Sequence, residues 1–355
     1  MTLSTIRAYA YTCRTPGTPL ERIEFGIPAP ADRDVVVKIA GCGLCHTDLS
    51  FFTGQVVPRK PLPIVLGHEI SGTIVAAGSS HRELMGQRVV VPAVLPCGEC
   101  DICKRGRGNA CRRQLMPGND FDGGFASHIV VPGRYVCPLP EDTGTLQLSD
   151  FSVIADAVAT PYQALQRSGL APGDVAVVVG VGGIGVYMAQ VARSAGGRVI
   201  AIDVDENKLE NALRMGAEHA INVRGQSEGD VRKAVKTWVD AQKLPSWGWK
   251  VFETSGTAGG QLTAFSLLTY AGTLGIVGFT MDKTTVRLSN VMAFDADIFG
   301  NWGCVPEYYP AIVRDVIAGK INVRDNIEAH PLDSINDVIP LALEHRIERR
   351  VVFVP

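Results

Sequence analysis

The stretch that most constrains this chain is Val175-Ala176-Val177-Val178-Val179 running straight into Gly180-Val181-Gly182-Gly183-Ile184-Gly185. This apolar, β-branched run reads as a strand, and a helical run over 185–195 follows the glycines. Strand, glycine turn and helix in that order open a parallel βαβ unit. A lone G-x-G-x-x-G is a weak signal. Placed between strand and helix it acquires a mechanism. Gly180 permits the tight turn, Gly182 lets the backbone approach a pyrophosphate, and Gly185 lets helix and strand pack closely. Gly183 and Ile184 complete a turn that leads into the partly positive end of a helix. A second strand, 198–202, ends at Asp203, at the usual distance of about 20 residues for an acid that binds the adenosine ribose hydroxyls. An acid there repels a 2′-phosphate, and Val204 and Asp205 bring no cation, so NAD is expected over NADP.

The rest of the chain has two textures. Up to about residue 150 the apolar runs are short and β-branched, as at 35–39, 72–75 and Arg88–Val91, with Gly, Pro and Asp between them. That predicts an all-β, barrel-like lobe. From about Ser152 strands alternate with helices (a helix over 206–215, strands at 251–252 and 275–277), which specifies a parallel sheet. After about Asp297 the β-lobe texture returns, with Arg350–Val354 as a terminal strand. The expected domains are 1–156 with 297–355, and 157–296.

Cysteines carry the next signal. Cys97, Cys100, Cys103 and Cys111 form C-x2-C-x2-C-x7-C, a lobe over about 96–112. Four thiolates at short spacing suit a tetrahedral zinc with no open position, a structural site. An iron–sulfur cluster also uses four cysteines, though its usual spacings differ. The cations Lys104, Arg105, Arg107, Arg112 and Arg113 on the same loop offset thiolate charge. A second, dispersed group is Cys45-His46-Thr47-Asp48 and, downstream, Gly67-His68-Glu69. Cys45 and His68 offer one thiolate and one imidazole, a mix suited to zinc.

Composition narrows the class. Net charge is −2, which gives no argument for nucleic acid or an anionic membrane. The first seventeen residues lack a continuous apolar segment, and no run long enough to span a bilayer follows. Nine cysteines, four at metal spacing and the others scattered, point to thiols in a reducing, cytoplasmic compartment.

Taken together, Gly41-Cys42-Gly43-Leu44-Cys45-His46-Thr47-Asp48, Gly67-His68-Glu69, the four-cysteine lobe, and the glycine turn with Asp203 resemble the zinc-containing medium-chain alcohol dehydrogenases, over essentially the whole chain. The resemblance implies a GroES-like β-barrel catalytic lobe with a Rossmann doubly wound parallel-sheet domain. It implies two zinc ions, NAD, a small-molecule alcohol or ketone, and a homodimer or homotetramer. A third ligand of the catalytic zinc is implied shortly before the nucleotide domain, and Asp156 falls there. It further implies Asp48 orienting the His68 ring, Glu69 in or near the ligand shell and able to exchange with water, and Thr47 beginning a proton relay. His46 would reach the cofactor pyrophosphate, helped by Arg350. One position departs from the pattern. Many relatives end the relay on a histidine five positions after the zinc-binding cysteine, and Ser50 stands there.

A closer likeness lies in Met116-Pro117-Gly118-Asn119-Asp120, in Gly123-Gly124-Phe125-Ala126-Ser127-His128, in Ala155–Tyr162 and in Gly300-Asn301-Trp302-Gly303-Cys304. These are similar to the branch that oxidises a ring alcohol of a CoA thioester in anaerobic aromatic degradation. Arg59, Lys60 and Arg113 are then candidates for a phosphate-binding rim. A polyol or simple alcohol is the alternative substrate. A non-catalytic NAD-binding protein is the alternative of another class, and it should lack a zinc ligand.

Overall fold

Val175–Val179 is buried at all five positions, as an apolar run without alternation requires. In the computed structural model, which describes residues 5–355, it lies inside a six-stranded parallel sheet. The spatial order is His219–Asn222, Arg198–Asp203, Val175–Val179, Lys250–Glu253, Thr273–Ile276 and Asp297–Gly300. In chain order these are the third, second, first, fourth, fifth and sixth strands. This is the doubly wound Rossmann pattern, with its switch point between the first and fourth. Some of the helices between the strands start on side-chain caps. Asp205 accepts from the Asn207 and Lys208 amides before Glu206–Arg214, and Ser227 accepts from the Asp230 amide before Glu228–Ala241. Val231, Val235 and Val239, one helical turn apart, face a core with Val177, Ile200 and Ile202.

The chain divides into two units. One comprises Thr160–Trp302 with Ala318–Asn322, and the other takes the residues up to Ala159 with Gly303–Ile317 and Val323–Pro355. Asp297 was expected to return the chain to the β-lobe. Instead Asp297–Gly300 pairs with Thr273–Ile276 and completes the parallel sheet. It is an edge strand with exposed or half-buried side chains throughout, so it lacks the apolar run that marks its inner neighbours.

The other unit is built on Asp34–Gly43. This strand pairs with Glu69–Ala77 along its length, with His128–Pro132 at its start, and with Arg350–Val354 at its end. Register shifts between Val36 and Val37 and between Ile39 and Gly41 bend it. The seven-stranded sheet runs Ile327–Pro331, Arg350–Val354, Asp34–Gly43, Glu69–Ala77, Arg88–Val91 and Cys137–Pro138, with His128–Pro132 off that path. A three-stranded sheet of Ile6–Cys13, Glu21–Ile27 and Ile64–Val65 accompanies it. Inward residues such as Val35, Val37, Ile39, Ile70 and Ile74 fill a common core. Among the described residues, no helix is long and apolar enough to cross a membrane.

Phe353 joins the terminal strand to this core. It is fully buried, its ring meeting Phe125 edge-on with centroids 5.4 Å apart. Phe353→Ala is expected to cost about 3–5 kcal/mol in urea denaturation. A loss below about 1 kcal/mol would show that the last strand is dispensable to the core.

Candidate functional site

The bent strand Asp34–Gly43 delivers the chain to Cys45, which caps the helix His46–Thr53. Asp48 is the third residue of that helix and is almost fully buried. Its Oδ2 accepts from the Cys45 amide at 2.9 Å. Its Oδ1 accepts from the Gly67 amide at 3.0 Å and lies 3.1 Å from His68 Nδ1. With that bond Nδ1 carries a ring proton, so a metal would be bound through Nε2. His68 Nε2 is buried and has no hydrogen-bond partner. A buried nitrogen of this kind is costly unless something binds it.

What surrounds it is a ligand set. His68 Nε2 is 3.5 Å from Asp156 Oδ2, and Cys45 Sγ is 3.8 Å from the same oxygen. A tetrahedral zinc with ordinary bond lengths would set such edges at about 3.4–3.6 Å. The residues therefore fit the metal that the sequence suggested. Burial works against a charged His68 ring. Without a metal, the Asp48 charge, with Asp156 and Cys45 alongside, outweighs it and raises the pKa well above its ordinary value, so a metal at Nε2 would displace a proton. Thr47 Oγ1 lies 3.8 Å from Cys45 Sγ, at the edge of the set.

Glu69 offers a carboxylate oxygen within the same 4.8 Å cluster. Both of its oxygens are engaged. Arg350 donates from Nε to Oε2 at 2.7 Å and from Nη2 to Oε1 at 2.5 Å, and the Ala157 amide donates to Oε1 at 3.0 Å. Arg350 was expected at a pyrophosphate. Its side chain is only 7% exposed and its fork is taken by Glu69, so the structure gives it a different partner. Gly43, the strand partner of Glu69, makes the room: a Cβ there would lie 2.0 Å from Oε2.

Asp156 follows the short helix Leu148–Ala155. The segment is fixed on both sides, since the Ala155 carbonyl accepts from the Tyr309 hydroxyl at 2.5 Å and the Ala93 amide at 3.3 Å, while Ala157 is held by Glu69. Tyr309 is fully buried and was missed in the sequence. No local motif marks a residue that acts through a tertiary contact so distant in the chain. His46 is exposed and its ring stacks on His345 with centroids 6.0 Å apart, while Ser50 donates to the His46 carbonyl at 3.0 Å.

The four-cysteine lobe is assembled as expected. Four of its six Sγ–Sγ separations are 3.5, 3.5, 3.7 and 3.9 Å. These bracket the roughly 3.8 Å edge of a tetrahedron of sulfurs around zinc, and are far longer than a disulfide. The Glu99 and Cys100 amides bring the Cys97 thiol down to about 6, favouring the thiolate. The proposed phosphate rim is less open than its sequence suggested. Arg59 pairs with Asp120, Lys60 with Asp122 and Arg113 with Glu99.

In the parallel-sheet unit, Gly180 has φ +88°, and a Cβ on it would lie 2.4 Å from Ser255 Cα. Only glycine turns so close to the end of the fourth strand. Thr254 donates to the Gly180 carbonyl at 2.6 Å and locks the turn. A Cβ on Gly182 would meet nothing within 4 Å, and Gly183 is exposed, so the turn's outer side is open to a ligand. Ile184 caps the helix Gly185–Ser194 without a side-chain bond, leaving its first amides to other partners. Asp203 faces this loop. Its Oδ2 accepts from the Val181 amide at 2.9 Å and its Oδ1 from the Val204 and Asp205 amides at 2.7 and 3.0 Å.

Residues 31–141 match the model of the alcohol dehydrogenase GroES-like domain, and residues 183–318 that of the zinc-binding dehydrogenases. An alcohol dehydrogenase of Geobacillus stearothermophilus is 30% identical over 338 residues, 94% of this chain and 95% of that one. The sorbitol dehydrogenase of Bacillus subtilis is 28% identical over 90% of each chain. The crystal structure of an alcohol dehydrogenase from Aeropyrum pernix superposes with a TM-score of 0.87 at 29% identity, covering 98% of this chain and 100% of that one.

The Glu69–Arg350 pair generates a test. Arg350→Met leaves a carboxylate buried without its partner and should cost about 3–5 kcal/mol. Adding Glu69→Gln should recover most of that loss. A double variant whose loss in urea denaturation equals the sum of the singles would mean that the two residues are energetically independent.

Proposed function

This chain belongs to the zinc-type medium-chain alcohol dehydrogenase family, and on that premise we propose that it oxidises a secondary alcohol to a ketone with NAD as hydride acceptor. The substrate in this reading is 6-hydroxycyclohex-1-ene-1-carbonyl-CoA, a ring alcohol beside a carbon–carbon double bond, and the product is the conjugated 6-oxo thioester. The enzyme would then be 6-hydroxycyclohex-1-ene-1-carbonyl-CoA dehydrogenase of anaerobic benzoyl-CoA degradation. What carries the reaction type is the buried, unpartnered His68 Nε2 within a Cys45, His68 and Asp156 set. What carries the substrate is the likeness at 116–120, 123–128 and 300–304. The branch is a finer assignment than family membership supplies. Sorbitol oxidation by the Bacillus relative keeps polyols as the second reading.

Zinc held by Cys45, His68 and Asp156 would lower the pKa of the alcohol, and NAD bound at the glycine turn would take the hydride at C4. The chain's own residues do the rest. Asp48 fixes the His68 tautomer and ties the Cys45 and His68 segments together. The Thr47 hydroxyl, beside Cys45, accepts the alcohol proton and passes it on. Ser50 supplies no base at the end of that path, so the proton leaves to water. Glu69 is held by Arg350 and Ala157 and serves as a fixed negative charge behind the ligands. Gly180, Gly182 and Gly185 shape the pyrophosphate turn, and Asp203 reads the ribose.

Cys97, Cys100, Cys103 and Cys111 hold a second, structural zinc in this reading. The chain assembles as a homodimer or homotetramer and works in the cytoplasm. The edge strand Asp297–Gly300, with exposed Leu288, Met292 and Ile298 nearby in sequence, supports pairing between copies, and nine unpaired thiols support a reducing compartment.

The test compares three alcohols under NAD: the CoA thioester, its free acid and cyclohex-2-enol. Remote binding energy positions the ring, so removing CoA should lower kcat/KM by about a hundredfold or more. Equal efficiency on all three would reduce the reading to a general alcohol dehydrogenase.

A further inference from the structure

Val204 and Asp205, which follow Asp203 directly, carry no cation, but the neighbouring strand brings one. Asp203 and Asn222 are register partners in adjacent parallel strands, and the Val223 amide donates to the Asp203 carbonyl at 3.0 Å. The next residue is Arg224. Its backbone amide donates to Asn222 Oδ1, which turns the side chain back toward the second strand. There Nε and Nη2 donate to the Val204 carbonyl at 3.1 and 2.8 Å. The guanidinium therefore rests against the residue adjacent to Asp203.

Two features separate Arg224 from an ordinary surface arginine. Among the described residues it forms no ion pair with a carboxylate, although Asp203, Asp205 and Glu206 are all close in the chain to its anchor at Val204. Asp203 and Asp205 are occupied by backbone amides, and Glu206 accepts from Asn222 Nδ2. The charge on Arg224 is also fixed in place. Two of its five N–H groups hold Val204, leaving three for a ligand. A planar, anchored cation with spare donors is the group that best recognises a phosphate.

Resting on the dinucleotide reading above, we propose that Arg224 is a second specificity-determining residue. Its guanidinium, held on Val204 beside the ribose-reading Asp203, lets the site accept a 2′-phosphate, so NADP binds as well as NAD while Asp203 keeps NAD ahead. The two residues pull in opposite directions. Asp203 repels the phosphate and Arg224 attracts it, so cofactor preference is their difference.

The test is calorimetric binding of NADH and NADPH to the full-length protein, which needs no turnover. Arg224→Ala should raise the Kd for NADPH by about tenfold or more and that for NADH by less than about threefold. Asp203→Ser should tighten NADPH by about tenfold, and adding Arg224→Ala should remove that gain. Arg224→Lys should restore only part of the affinity, because a point charge lacks the fork. Salt should weaken NADPH binding more than NADH binding in wild type, and erase the difference in Arg224→Ala. Equal weakening of both nucleotides would show that Arg224 only shapes the loop, and an unchanged NADPH Kd would show that it does not meet the phosphate. Either result overturns this inference while leaving NAD binding intact. Failure of wild type to bind either nucleotide would overturn the dinucleotide reading itself.

Discussion

The Asp48 carboxylate is the contact on which the candidate catalytic centre depends. Its three bonds, from the Cys45 amide, the Gly67 amide and the His68 ring, join two segments that the chain separates by a helix and a loop. Without them the helix start that carries Cys45 and the strand start that carries His68 have no common reference. Asp48 can do this because it is buried at the third position of a helix, where free amides already favour a carboxylate. The cost of burying its charge is offset by three donors on two oxygens.

Behind that contact stands a second buried charge system. Glu69 and Arg350 come from strands on either side of Asp34–Gly43, and each would be untenable alone at this depth. Burial pushes the Glu69 carboxyl upward and the Arg350 charge opposes it. Their pairing also reaches the proposed third ligand, since the Ala157 amide beside Asp156 donates to Glu69. Tyr309 holds the other side of the same segment. Asp156 thus owes its position to groups from three distant parts of the chain, and this candidate ligand is placed by backbone anchoring.

The parts that were legible in the sequence are those whose physics is local. Val175–Val179 and its glycine turn follow from a buried strand that must reverse beside a neighbouring backbone. The four-cysteine lobe follows from thiol spacing alone. Cys45 and His68 were visible as ligand types, but what joins them lies in tertiary geometry. Arg350 was placed at a phosphate because its charge is plain in the sequence and its partner is not. Glu69 lies 281 positions away. Asp297–Gly300 was assigned to the wrong sheet because an exposed edge strand resembles β-lobe texture. Arg224 was overlooked for a related reason: the acid and the cation that share a ligand site sit on neighbouring strands, so the residues next to Asp203 do not reveal it.

Two chemically distinct metal centres are the core of this account, and metal content measures them most directly. Elemental analysis of purified protein should give two zinc ions per chain, one for each cluster. Cys103→Ser should remove one and lower stability. Asp156→Ala should remove the other while the folded protein retains its four-sulfur zinc, seen by X-ray absorption as a purely sulfur-coordinated metal. NADH binding should survive that second substitution and alcohol oxidation should not. Retention of both zinc ions in Asp156→Ala with full activity would contradict the assignment of Cys45, His68 and Asp156 as the catalytic set.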